Sequence, residues 1–109
     1  MFTVFGFYKF IKVKSLKRNK DLLKKVLSEN NLRGTIIIAR EGLNGTISGK
    51  NKDIEKIIKK IKSFFAFKYF DNYNYSKSKF QPFHKPKVKI KKEVVPMNFI
   101  LNSKERNME

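Results

Sequence analysis

An α+β sandwich, two helices laid on one face of an antiparallel sheet, is the fold class this sequence predicts. Three observations carry the prediction. Two segments repeat their apolar residues with the period of a helix: Leu16, Leu22, Leu23, Val26 and Leu27 in one, Ile54, Ile57, Ile58, Ile61 and Phe65 in the other. Runs with strand character flank and separate them, at 2–13, 35–39, 46–48, within 67–75 and at 88–95. The order β-α-β-β-α-β, with one extra strand, is the split βαβ or ferredoxin-like pattern. A chain of 109 residues holds one domain with one modest core. That domain is placed at 1–97, with 98–109 as a polar tail or linker.

Each element has a local reason. "FTVFGFYKFIKV" (2–13) alternates, and its apolar residues on both sides predict an interior strand buried from both faces. Ser15 offers an N-cap to the first helix, and Asn30, Asn31 and Gly34 offer its stop. "TIIIA" (35–39) is a short β-branched run, hence a buried strand. The stretch "AREGLNGTISG" (39–49) then predicts a hairpin. Gly42, Gly45 and Gly49, with Asn44, supply backbone positions of positive φ, and Thr46, Ile47 and Ser48 form the returning strand. Asn51 caps the second helix, with Asp53 and Glu55 complementing its dipole and Lys56, Lys59, Lys60 and Lys62 opposite the isoleucine stripe. Part of the aromatic, asparagine-rich 67–75 is a fourth strand. "SKSKFQPFHKPK" (76–87) is a basic, proline-punctuated loop, and "VKIKKEVV" (88–95) is a last, half-exposed strand before a polar, frayed end.

Composition narrows function by exclusion. The chain has no cysteine, so it can build no disulfide, thiolate metal site or cysteine nucleophile. No apolar run approaches the ~18 residues of a membrane span. "MFTVFGFYKFIKVK" lacks the basic start and small-residue cleavage site of a signal peptide, so a cytoplasmic location is expected. His84 is the single histidine and reads as an exposed loop residue. The nine carboxylates are scattered without an acid–base spacing. No catalytic residue, metal or cofactor is therefore assigned.

The charge is the strongest compositional feature, 26 basic residues against nine acidic for a net +17. A polyanion, above all nucleic acid, is the partner such a surface suits. Codon usage biased to AT is the competing explanation, because lysine is accompanied by abundant Ile, Asn and Phe. Only Arg18, Arg33, Arg40 and Arg106 are arginines, and lysine attracts phosphate without the bidentate fork that reads sequence.

Two phosphate or RNA clamps match the glycines poorly, one by spacing and one by context. Gly42 and Gly45 do not have the spacing of a Walker loop and lead to a strand rather than a helix. "GLNG" (42–45) matches the G-x-x-G of KH domains, but that loop joins two helices. "VFGFYKFIK" is superficially like an RNA-recognition strand but lies first in the chain, and "TISG" offers no aromatic partner. Most of the phenylalanines are therefore assigned to the core. Arg40, Glu41 and Asn44 remain, three polar residues that a hairpin does not require.

Four features together resemble the N-terminal domain of the bacterial rhodanese-containing tRNA uridine hydroxylases. They are the opening aromatic "FYKF" (7–10), "IIIAREGLNGTISG" (36–49), the isoleucine-rich helix after it, and "KSKFQPFHKPKVKIKKEVV" (77–95). The likeness covers nearly all of 2–97. It implies an acylphosphatase-like, ferredoxin-like domain that helps hold tRNA, in a protein that forms 5-hydroxyuridine at the wobble position using oxygen. A rhodanese domain with a reactive cysteine, in cis or in trans, would be the other partner. Glu41, Gly42, Asn44 and Gly45 fall on the family's hairpin motif, and Lys87, Lys89, Lys91, Lys92 and Glu93 on its basic final strand. Candidate RNA or domain contacts are therefore Arg40, Glu41, Asn44, Lys77, Lys79, His84, Lys87, Lys89, Lys91 and Lys92. His84 and Pro86 depart from the pattern, standing near where the family has an arginine. Lacking the rhodanese part and any cysteine, this chain is expected to be inactive alone. Two other functions compete: a structural domain docking a rhodanese-like partner, and an acylphosphatase-type hydrolase. The hydrolase would need a glycine loop bearing Arg after the first strand, where "KVKSLKR" (12–18) has no glycine.

Overall fold

The computed structural model describes residues 1–94. Its elements are β1 (Phe2–Phe10), α1 (Leu16–Glu29), β2 (Arg33–Ala39), β3 (Gly42–Gly49), α2 (Asn51–Phe64), β4 (Asn72–Ser78) and β5 (Pro86–Ile90). The sheet order is β4-β1-β3-β2-β5. Each neighbouring pair among the first four strands is antiparallel, which is the predicted ferredoxin-like arrangement. β5 joins parallel to β2, Val88 opposite Ile36, so the complete sheet is mixed rather than antiparallel. Two helices on one face complete the acylphosphatase-like fold, α1 against β5 and β2, α2 against β1 and β3.

The core lies between helices and sheet. Leu23, Val26 and Leu27 of α1 and Ile54, Ile57 and Ile61 of α2 are buried against Phe5, Phe7, Ile36, Ile38, Leu43, Ile47 and Val88. Burying a side chain of this size stabilises by about 1.5–3 kcal/mol, and the two stripes at helical period supply that burial from one side only. Phe67 and Phe70 close the flank, Phe70 lying 5.4 Å from Phe5 and 5.1 Å from Phe7 between ring centroids.

Five expectations need correction. β1 is interior, but only Thr3, Phe5 and Phe7 are buried; Phe2, Val4, Gly6 and Tyr8 face an uncovered side and are partly exposed. Ser15 precedes α1 in a left-handed conformation, without a side-chain cap bond. Asn51 is the first residue of α2 and Lys50 occupies the cap; the Asn51 amide instead donates to Glu55 and accepts from Thr3. A fourth strand does begin within 67–75, at Asn72, after Phe67 and Phe70 have joined the aromatic cluster, but it runs on to Ser78 and takes 76–78 from the predicted loop. The last strand ends at Ile90; Val94 is buried beyond it, while Val95 and the tail placed at 98–109 lie outside the described residues.

The glycine-rich hairpin is tighter than predicted. Ala39 pairs with Gly42, so the turn is Arg40–Glu41 alone and the glycines lie within β3. Gly42 alone of the three has positive φ, +154°, and a Cβ there would stand 2.0 Å from the carbonyl oxygen of Lys9. It is required by the close approach of β1. Gly45 is extended, and its lack of a side chain admits the Phe7 ring and Ile36.

Candidate functional site

The candidate residues fall into three places. At the end of the sheet where β2 turns into β3, the Glu41 carboxylate accepts a hydrogen bond from the Val94 amide at 2.7 Å. The Asn44 amide donates to the Val94 carbonyl at 3.0 Å. Val94 is fully buried, packed with Ala39 and Tyr8. Two side chains that the turn does not require thus clip the chain that leaves β5, an intramolecular role. Arg40 is exposed; its carbonyl and that of Glu41 accept from Val13 and Ile11, fixing the β1–α1 connection beside the turn. Lys91, Lys92 and Glu93 are exposed on the approach to Val94, and the Lys91 amide extends the ladder to Ile38.

At the opposite end, Lys77 and Lys79 leave β4. The Lys77 ammonium donates to the buried Thr3 hydroxyl at 2.8 Å, and Thr3 in turn donates to Asn51 at the start of α2. Lys77 is therefore tied to the helix-covered side, and both it and Lys79 are exposed.

The third place is the β5 edge. A groove of about 460 Å³ runs between α1 and this edge, lined by Lys20 and Lys24 on one side and by residues 85–89, Lys85, Lys87 and Lys89 among them, on the other. Val88 points toward α1 with Ile36, whereas Lys87 and Lys89 alternate to the uncovered side with Thr35 and Ile37. Lys20 and Lys24, one helical turn apart, come alongside because Leu23 and Leu27 bury the inner face of α1. The ion pairs among the described residues are Lys9–Asp71 and Lys25–Glu29, so none of these five ammonium groups is paired. A second concavity of about 280 Å³ continues from it past Lys85, Lys87, His84 and Phe83 to Thr35. A third, about 480 Å³, shares Phe83 and Thr35 and opens onto the uncovered sheet face over Gly6, with Asn44, Thr46, Asn72 and Asn74 around it. Among the described residues, no carboxylate lines any of the three.

The loop 79–85 makes this continuity. It crosses the uncovered face from β4 to β5, held where Ser48 donates to Gln81, where Arg33 donates to the Phe83 carbonyl at 3.5 Å, and where the Gly34 amide donates to the Lys85 carbonyl at 3.2 Å. His84, Lys87 and Lys89 are thus brought together, and Lys20, Lys24, Lys85, Phe83, Asn72 and Asn74 join them. Sequence reasoning missed those six, since nothing local signals that α1 and β5 are neighbours. Lys56, Lys59 and Lys60 lie exposed on α2, in the helix layer, apart from the face that carries Asn44. The basic residues do not form one surface.

A family described as the UPF0176 acylphosphatase-like domain matches residues 2–94. The tRNA uridine(34) hydroxylase of Pelagibacter ubique is 65% identical over 106 residues, covering 97% of this chain and 35% of that protein. The protein of the same name from Wolbachia sp. subsp. Brugia malayi is 38% identical over 94 residues, covering 86% of this chain and 35% of its own length. The chain thus spans about a third of the curated relatives it matches. Among solved structures, an acylphosphatase from Coxiella burnetii superposes with a TM-score of 0.61 at 13% identity, over 81% of this chain and 93% of that one. At that identity the likeness is one of fold.

Proposed function

We propose a function from one premise: the chain belongs to the family of UPF0176 acylphosphatase-like domains. It serves as the tRNA-holding domain of a tRNA uridine(34) hydroxylase, the name its full-length relatives carry. It contributes binding and orientation, while a rhodanese domain, in cis or in trans, carries the chemistry. The observation that supports this best is the set of five lysines along the groove between α1 and β5 and the sheet edge beside it, which form no ion pair among the described residues. Ammonium groups on two rigid elements suit successive phosphates, and they do so without reading sequence. Among the described residues, the remaining concavities offer hydroxyls, amides and a lone imidazole, and no carboxylate to act as a base.

The test is the binding of unmodified tRNA, followed by fluorescence anisotropy across a salt series. Each phosphate contact contributes about 0.7–0.9 to the negative slope of log K against log salt. Lys85→Ala/Lys87→Ala/Lys89→Ala is expected to lower that slope by about 2 to 3. Lys56→Ala/Lys59→Ala/Lys60→Ala removes the same charge from α2 and is expected to change it little. Salt-insensitive binding, or equal loss in the two variants, refutes the groove as the phosphate site.

A further inference from the structure

The uncovered sheet face differs in chemistry from the lysine groove that leads to it. Its depression, about 480 Å³, falls in the size range of small-molecule sites, ~300–1,000 Å³. Asn44, Asn72 and Asn74 provide amides there, and Thr35 and Thr46 provide hydroxyls. None of these groups carries charge, and each amide both donates and accepts. Tyr8 and Phe83 add aromatic walls. Gly6 leaves room for polar side chains over the strand: the Asn74 Oδ1 comes within 2.8 Å of where a Cβ would stand, and the Thr46 hydroxyl within 3.7 Å.

Both ends of the face are already closed, one by Val94 and the other by loop 79–85. What stays open is a polar hollow between aromatic side chains, and a lysine-lined path reaches it through Phe83 and Thr35. A flat ligand with hydrogen-bonding edges and a phosphate leash matches all of this. A nucleobase in single-stranded or looped RNA is such a ligand, since its face stacks on aromatic rings and its edge pairs with amides. We infer that this hollow receives one unstacked base of an RNA whose phosphates lie on the Lys85–Lys89 groove. Asn74 and Asn44 meet the base edge, and Phe83 stacks on its plane. The inference rests on the RNA-holding function proposed above.

Two probes separate the two ideas: a seven-nucleotide oligouridylate, and the same ribose-phosphate backbone with every base removed. The intact chain is expected to bind oligouridylate at least about tenfold more tightly than the base-free backbone, in line with stacking of one base. Asn74→Ala/Phe83→Ala is expected to abolish that difference by weakening oligouridylate alone. Both residues lie outside the hydrophobic core, and a circular dichroism melt checks that the variant stays folded. Thr46→Val, which keeps the shape and removes a hydroxyl, gives a second, milder reading, a several-fold loss confined to oligouridylate. Lys85→Ala/Lys87→Ala/Lys89→Ala is expected to weaken both probes alike. Equal binding of the two probes by the parent, or equal loss of both in Asn74→Ala/Phe83→Ala, overturns the base site and leaves the phosphate groove standing. Failure of both probes and of tRNA to bind at low salt overturns the RNA-holding function as well.

Discussion

The two faces of the sheet are built from the same strands yet differ in chemistry. On the helix side, Phe5, Phe7, Ile36, Ile38, Leu43 and Ile47 are each 4% exposed or less, and Phe5 stacks on Phe7 at 5.3 Å. On the other side the alternate residues are Thr35, Ile37, Asn44, Thr46 and Ser48. Strand β3 shows the contrast within eight residues: Leu43 and Ile47 are fully buried, Asn44 is half-buried, Thr46 exposed, and Ser48 buried again under Gln81. One face is sealed by two helices over β1, β3, β2 and β5. The other is sealed only at its ends, by single chain segments held through a few hydrogen bonds. A dry face of that kind stabilises the fold, and a polar face left open in the middle has room for a ligand.

The largest effect expected from breaking this contrast comes from adjacent positions of β3. Ile47→Ala should destabilise by about 2–5 kcal/mol, through lost burial and a cavity, whereas Thr46→Val should stay within about 0.5 kcal/mol. Urea unfolding of the two variants measures both; similar losses would mean that the two faces contribute alike. A smaller effect is expected at the sealed end. Glu41→Ala removes the acceptor for Val94 and should cost about 1 kcal/mol, with faster hydrogen exchange at the Val94 amide and little change in the exchange of Leu27. Unchanged exchange at Val94 would show that packing against Tyr8 and Ala39 holds the segment unaided.

The smallest expected effect is electrostatic and lies on β4. Partial burial beside Phe5 raises the Tyr75 phenol above its ordinary 10.0, with Tyr73 and Glu55 adding to the shift, although half of the residue is exposed. A raised pKa means that the folded state holds this proton longer than the unfolded one. The associated stability is therefore present below about pH 10 and is lost as pH rises beyond it. Absorbance titration should show a late-ionising component that Tyr75→Phe removes.

The helices were legible because a 3.6-residue period in Ile54, Ile57 and Ile61 reports burial directly. The hairpin was legible in kind but not in length. Glycine density suggested a loop, whereas Gly42 and Gly45 answer to Lys9 and Phe7 of β1, which sequence cannot place beside them. Part of 67–75 read as strand, but not which part: Phe67 and Phe70 pack into the aromatic cluster beside Phe5 and Phe7, and the strand begins at Asn72. Glu41 stood out as a polar residue without a local reason, and its partner is 53 residues away. A side chain whose hydrogen bond is made so far along the chain cannot be told, from local pattern, from one reserved for a ligand.

Local pattern by itself determined the two helices, the strand order of the split βαβ unit, the apolar face of β2 and the net charge of +17. It also supplied the motifs that tie the chain to its family. Tertiary structure alone decided which lysines share a groove, which face stays open, and what Glu41 and Asn44 hold. The reason is one of range. Helical and strand periods act over a few residues, whereas the parallel pairing of β5 with β2 sets Val88 opposite Ile36, against α1, and so places Lys87 and Lys89 with Thr35 and Ile37 on the uncovered side of that edge.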